Sequence, residues 1–393
     1  MTRAKRRRPN RSANPNRTRP RTATTNGKEV PATGTLEVLP DGYGFLRQKE
    51  ESFTSSVDDV YVSRSLIDRF DLVTGSEIDG VSDGSRLKEV VNVNGLTPDE
   101  FRHRPSFGKL TPQQPRKRLS IEVRDDMSLR VLDLVTPIGK GQRGLVVSPP
   151  RAGKTVLLQK MAKAILENHP ECHVIILLVD ERPEEVTDVR EMVAGQHCEV
   201  ISSTFDQAPS NHVRIAKLVL ERAKRLVECG RDVVLFLDSI TRLTRAHNSV
   251  APAGCKLTTG GLAMEALVGP KEFFGAARQL RESGSLTILA TALVDTGTRM
   301  DGFIFEEFKG TGNMEVHLSR QLVERQVWPA IDISASGTRR EELLLDADEM
   351  QRVRLLRKAL SRTDPADAME LLINRLGRAG SNAEFLFSIS LDS

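Results

Sequence analysis

Residues 147–156, Val-Ser-Pro-Pro-Arg-Ala-Gly-Lys-Thr-Val, set a glycine, an ammonium and a hydroxyl side by side. An apolar run precedes them and an amphipathic stretch, residues 156–166, follows. Strand, tight loop, helix is the context that a phosphate-binding loop requires. Gly153 has no side chain, so its backbone can approach a phosphate closely. The N–H groups of the helix start point at the anion, and the helix dipole adds to the attraction. Lys154 reaches the β/γ-phosphates, and the Thr155 hydroxyl ligates Mg²⁺. Pro150, Arg151, Ala152, Gly153, Lys154, Thr155 and Val156 therefore form the expected nucleotide-binding segment, with ATP and Mg²⁺ as cofactors. The generic pattern begins with Gly, and Ser148 holds that place here. The alternative is an ordinary strand-to-helix turn.

Two acids downstream argue against that alternative. Residues 174–179 are a continuous apolar run ending in Asp180-Glu181-Arg182, and residues 233–237 are another, ending in Asp238-Ser239. Runs apolar on both faces suit central strands of a parallel sheet covered by helices. Carboxylates just past such strands lie at the carboxyl edge of the sheet, where a phosphate loop also sits. Asp238 is the candidate for holding Mg²⁺, through water, and Glu181 for orienting and polarising the attacking water. Either acid alone would read as a helix N-cap or a surface residue.

A nucleic-acid signal precedes the phosphate loop. Residues 41–47, Asp-Gly-Tyr-Gly-Phe-Leu-Arg, put Tyr43 and Phe45 on one face of a strand, with glycines between them. Exposed rings on a barrel stack on bases, each stack being worth ~1–3 kcal/mol. Arg47 lies on the same face, within reach of a phosphate or a base edge. The alternative places both rings in the barrel core.

The elements that must carry these residues divide the chain. At 393 residues, two or three domains fit. Residues 1–33 carry ten Lys/Arg and one Glu, a net +9 against +4 for the whole chain, so the remainder is net −5. That arm suits an anionic polymer and, lacking large apolar residues, is expected to be disordered. Residues 34–97 read as five short strands, a small barrel of the OB type. Residues 98–125, with prolines at 98, 105, 112 and 115, read as an extended linker. From 126 to 393, strands alternate with longer helices, as in an α/β domain with a largely parallel sheet. No apolar run is long enough to span a bilayer, and no signal region leads the chain, so a cytoplasmic protein without membrane contact is expected. Cys172, Cys198, Cys229 and Cys255 are widely spaced and read as reduced thiols. His197 beside Cys198 lacks the spacing of a metal site.

Longer stretches match one family. They are residues 137–144 (Pro-Ile-Gly-Lys-Gly-Gln-Arg-Gly), 149–155, 180–187 (Asp-Glu-Arg-Pro-Glu-Glu-Val-Thr), 203–206, 237–242, 273–278, 306–314 and 336–339 (Ser-Gly-Thr-Arg). With them the chain, over about residues 34–390, resembles the bacterial transcription termination factor Rho family of RNA-dependent ATPases and helicases. The resemblance implies a barrel of the OB or cold-shock type followed by a RecA-like ATPase domain. It implies a homohexamer with ATP between subunits and RNA in the central pore. It also implies single-stranded, pyrimidine-rich RNA, RNA polymerase and elongation factors as partners. A small residue at Ser148 is usual in this family. By resemblance, Glu181 is the catalytic carboxylate, Asp238 the second acid and Arg339 an arginine finger reaching a neighbour's nucleotide. Arg182 lies beside the nucleotide, and Trp328 sits where the family places an aromatic against the adenine. Tyr43, Phe45, Arg47 and Arg86 fall in the primary RNA site, and Lys256 and Arg299 in the two pore loops.

The chain departs from the family at three places. An Arg-rich tail stands in place of the helical bundle that often precedes the barrel. Leu87 replaces a Tyr that supports base binding, and Gln326 replaces an Arg near the nucleotide. A divergent paralogue, an RNA-binding regulator with weak or no hydrolysis, is the alternative these departures raise. Other RecA-like motors, such as recombinases and rotary ATPase subunits, lack such an aromatic barrel.

Overall fold

The computed structural model describes residues 29–193, 198–258 and 260–389. His197 lies outside them, as do residues 1–28. The first domain is a curled antiparallel sheet of five strands: β1 (Val30–Val38), β2 (Gly44–Arg47), β3 (Val60–Val62), β4 (Glu77–Ser82) and β5 (Leu87–Val93). Its strand order is β3-β2-β1-β4-β5. The two edges meet where Tyr61 bridges Arg86 and its N–H donates to the Ser85 carbonyl at 2.9 Å. Alternation explains the core: Leu36, Leu46, Val62, Ile78 and Val93 are fully buried. The β1–β2 hairpin turns at Gly42, whose φ of 85° a residue with a Cβ would resist. A helix not anticipated from the sequence, α1 (Arg64–Phe70), joins β3 to β4 and buries Ile67.

Two boundaries need correction. The expected tail of residues 1–33 overlaps β1, because residues 30–33 pair with β4 from Val30↔Ser82 to Thr33↔Asp79. The side of β4 that faces β1 supplies hydrogen-bond partners that local composition does not reveal. Residues 98–125 are not an extended linker. Pro98 is the first residue of α2 (Pro98–His103), which is closed by a capping box between Thr97 and Glu100. Phe101, Phe107, Leu110, Leu119 and Ile121 along this segment are buried. The prolines punctuate a packed strap that ties the barrel to the motor.

The motor is a nine-stranded sheet with helices on both faces. Its principal strands are β6 (Arg143–Ser148), β7 (Cys172–Glu181), β8 (Cys198–Thr204), β9 (Asp232–Asp238), β10 (Ser285–Leu293), β11 (Met314–Leu318) and β12 (Ile331–Thr338). The order is β8-β7-β9-β10-β6-β11-β12, parallel except for β11–β12. Two apolar clusters fill the two faces. Phe53, in the β2–β3 loop of the barrel, is fully buried in the second cluster, so the first domain is plugged into the motor. None of the described helices is long and apolar enough to cross a membrane.

Candidate functional site

The parallel strands deliver the expected nucleotide residues to one edge. β6 ends at Ser148, and the loop turns through Arg151 (φ 65°) and Gly153 (φ 84°) into α3 (Lys154–Asn168). Gly153 is required twice. Its φ is left-handed, and a Cβ there would lie 3.1 Å from the Trp328 ring. Trp328 is half-exposed beside the loop. It lines a cavity of about 250 Å³ together with Gly153, Val156, Leu157 and Ile331.

Lys154 Nζ is ion-paired with Asp238 Oδ1, which also accepts from Thr291 Oγ1 at 2.8 Å. Asp238 is fully buried, and its Oδ2 has no hydrogen-bond partner among the described residues. A buried carboxylate oxygen left open beside the phosphate loop fits the outer sphere of a hydrated Mg²⁺, with the Thr155 hydroxyl in the first turn of α3. Glu181 closes β7 and is buried. Arg242, from α4 (Ile240–Ser249), lies 3.1 Å from Glu181 Oε2 and 3.3 Å from Asp180 Oδ2. Burial, then a hydrogen bond from Glu185, pushes the Glu181 carboxyl up to about 8, against the opposing pull of Lys154. Arg182 is exposed and leans on Glu185.

Arg339 follows β12 at the opposite end of the sheet. Thr338 pairs with Met314, and Met314 with Gly144 near the start of β6. The loop leaves β6 from Ser148, so at ~3.3 Å per residue the strand alone separates the two by about 13 Å. That exceeds the span of an arginine side chain. Arg339 is exposed, and its N–H is fixed on the Asn313 carbonyl at 2.8 Å. Lys256 and Arg299 are also exposed. Their loops touch: a Cβ on Gly260 would lie 3.3 Å from the Met300 backbone. Gln326 is exposed in a left-handed turn two residues before Trp328.

On the barrel, Tyr43 and Phe45 are half-buried and stand outside the Leu36–Leu46–Val62 core, which sets aside their placement within it. Their ring centroids are 5.9 Å apart, edge to face. Sequence reading missed Tyr61. Antiparallel register sets it opposite Phe45, and its ring lies 5.6 Å from Tyr43 and 5.9 Å from Phe45. The alternating triplet Val60-Tyr61-Val62 was the available signal. Arg86 lies over the Tyr61 ring at 5.2 Å.

Arg47 corrects an expectation. It is buried, with Nε on Glu37 Oε2 at 2.6 Å and Nη1 on Asp59. Two carboxylates, Glu37 on β1 and Asp59 just before β3, neutralise it, and its guanidinium lies 5.1 Å from the Phe45 centroid. It stands behind the ring, paired within the barrel, and not free on its surface. Leu87 is buried in the barrel core and adds no ring to this face.

Comparison with known proteins agrees with this division. The Rho termination factor RNA-binding domain profile matches residues 32–99. The profile of the ATP synthase alpha/beta family, nucleotide-binding domain, matches residues 128–338. The transcription termination factor Rho of Aquifex aeolicus is 53% identical over 363 residues, covering 90% of this chain and 83% of its own. That of Haemophilus influenzae is 53% identical over 370 residues, covering 91% and 87%. Among solved structures, a prototypical ATPase from the type III secretion system of pathogenic bacteria superposes with a TM-score of 0.60. It is 20% identical and covers 71% of this chain and 86% of its own, a likeness of fold.

Proposed function

The chain belongs to the transcription termination factor Rho family, and on that premise we propose that it is an RNA-dependent ATPase that terminates transcription. It works as a homohexameric helicase in the cytoplasm, drawing single-stranded, pyrimidine-rich RNA through its ring. The observation that carries this reading is the convergence of Lys154, Glu181 and Asp238 at one sheet edge, in a chain whose barrel also displays three outward rings.

Each residue then has a task. Residues 150–156 cradle the phosphates of ATP, and Lys154 exchanges its Asp238 partner for them. Thr155 and Asp238 hold Mg²⁺, which neutralises phosphate charge when bound. Trp328 stacks on the adenine. Glu181, steered by Arg242, orients the attacking water and takes its proton. Arg339 is directed away from its own loop and serves the nucleotide of the adjacent subunit. Tyr43, Phe45 and Tyr61 stack on bases, with Arg86 beside them, and Lys256 and Arg299 follow the strand in the pore. The test is the ATPase rate with no polymer, with poly(C) RNA and with single-stranded DNA. Stimulation by RNA alone is expected. Equal rates in all three would remove RNA dependence, and no hydrolysis in any would select the RNA-binding regulator.

A further inference from the structure

The stretch 137–144 brings Gln142 and Arg143 to the end of β6 that is remote from the phosphate loop. Both residues grip Asn313. Gln142 Nε2 donates to the Asn313 carbonyl at 3.1 Å and to its Oδ1 at 2.7 Å. The Arg143 N–H donates to the same Oδ1 at 2.9 Å, and the Asn313 N–H donates to the Arg143 carbonyl at 2.9 Å. The Asn313 carbonyl in turn accepts from the Arg339 N–H at 2.8 Å. Met314 pairs with Gly144 on one side and Thr338 on the other. One step further along, Arg143, Asn313 and Arg339 therefore form a single row. Two strand spacings of ~4.8 Å separate its ends, about 10 Å in all.

The charges gathered at this row have no acid to answer them. Arg143 Nε donates to the Thr311 carbonyl at 3.1 Å, and its Nη1 to the Ala277 carbonyl at 3.0 Å. Arg278, the residue after Ala277, donates to the Ala276 and Gly275 carbonyls at 3.0 and 3.1 Å. Among the described residues, no carboxylate pairs with Arg143, Arg278 or Arg339. Buried arginines elsewhere are paired, Arg47 with Glu37 and Asp59, and Arg222 with Glu199 and Glu77. Burial and the like charges of Arg278 and Arg339 pull the Arg143 guanidinium below the ordinary arginine value. Three positive groups gathered without an acid repel one another, and an anion from outside the subunit relieves them.

We propose that Arg143 is a positioning residue for Arg339. It fixes the Arg339 main chain through Asn313, and its guanidinium, with that of Arg278, drives the Arg339 side chain outward to the phosphates of the adjacent subunit's nucleotide. The proposal rests on the reading of Arg339 as a finger acting between subunits. β6 then serves two nucleotides: its last residue leads into the loop for its own, and its first sets the finger for the neighbour's. The alternative is a clamp, in which Arg143 only ties the Thr311 and Ala277 carbonyls to the sheet that carries its own loop.

Full-chain Arg143→Gln protein is mixed with Lys154→Ala protein, beside a mixture of Arg339→Ala with Lys154→Ala. RNA-stimulated ATPase is read on rings shown to be mixed. Alone, Arg143→Gln should lose roughly 10²-fold in kcat, as when a catalytic group is misplaced by an ångström. The mixture should regain activity, because an interface with Arg143→Gln on the loop side and Lys154→Ala on the finger side keeps every group it needs. If Arg143 served its own loop, both subunits would carry a spoiled loop and no interface would recover. No regain, with the Arg339 mixture active, would therefore overturn the proposal. So would a near-normal rate for Arg143→Gln alone. No regain in the Arg339 mixture either would instead overturn the shared site from which the proposal starts. Should Arg143→Gln fail to assemble into rings, Arg143→Lys, which keeps the charge and loses the fork, takes its place in the same mixture with a smaller loss expected.

Discussion

At the motor's sheet edge, the ionisable groups are buried against one another: Lys154 on Asp238, Arg242 on Glu181, Thr291 on Asp238. On the barrel, Tyr43, Phe45 and Tyr61 stand half-exposed, and the charges that support them are hidden behind. On the proposed function, the first region works through the field that a few buried groups create, where one charge is worth orders of magnitude in rate. The second, on the same proposal, works through the area of flat rings, where each contributes a modest, separable amount. Substitutions should therefore act steeply on one region and gradually on the other.

The steepest effect is expected at Arg339. Arg339→Ala should lower RNA-stimulated kcat by ~10³–10⁵, the usual worth of an arginine finger. Its place at the far end of the sheet from its own loop makes the stronger prediction. Arg339→Ala and Lys154→Ala proteins, each inactive, should regain activity when mixed, because some interfaces then pair an intact Arg339 with an intact Lys154. Mixed rings that form without regaining activity would put Arg339 outside the chemistry.

Glu181→Gln comes next, with a loss of ~10²–10⁴ in turnover and ATP binding retained. Burial holds the Glu181 carboxyl up to about 8, so at neutral pH the acid form dominates and the base form grows as pH rises. The kcat/KM of the parent should climb through that region, since this parameter reports the free enzyme. The Gln variant should lose the limb. A profile already flat by pH 6 in the parent would show that Glu181 is not the group that titrates.

How far the sequence disclosed each region follows from the same contrast. The phosphate loop depends on residue types at fixed neighbouring positions, so residues 147–156 were readable directly. Asp238 and Glu181 followed from apolar runs that end in acids, a pattern along the chain. The barrel face depends on which strand lies beside which. Tyr43 and Phe45 could be paired by alternation within β2, but Tyr61 joins them only through the β2–β3 register. Arg47 is neutralised by Glu37 on β1 and by Asp59 just before β3, and nothing local to residue 47 reports either. Proline spacing misled over residues 98–125, because Pro at a helix start and Pro in an extended linker look alike until Phe101 and Phe107 are seen to be buried.

On the barrel the expected losses are smaller and additive. Alanine at Tyr43, Phe45 or Tyr61 should each weaken RNA binding by ~1–3 kcal/mol, leaving ATP affinity unchanged. Tyr61 sharpens the comparison, because only the fold nominates it. RNA affinity that survives Tyr61→Ala intact would confine the face to the two rings of the hairpin. A variant that unfolds would place the ring in the core after all.

The smallest effect at ordinary salt is expected from the basic segment that precedes β1. Residues 1–28 carry ten Lys/Arg and no acid. Point charges of that kind bind phosphates by releasing counterions, and each contact adds roughly 0.7 to the slope of log K against log salt for a single strand. Stacking on Tyr43, Phe45 and Tyr61 has no such dependence, so the two contributions separate in a salt titration. The deletion must stop at residue 28. Removing residues 1–33 would take away the Val30↔Ser82 to Thr33↔Asp79 pairing and damage the sheet that carries the rings. The shorter deletion should flatten the slope and weaken binding at low salt, and leave affinity at high salt and the preference for pyrimidines as they were. If the slope is unchanged, the segment contacts a partner other than RNA. If pyrimidine preference falls with the slope, bases are read by the segment as well as by the rings, and the division between charge and stacking fails.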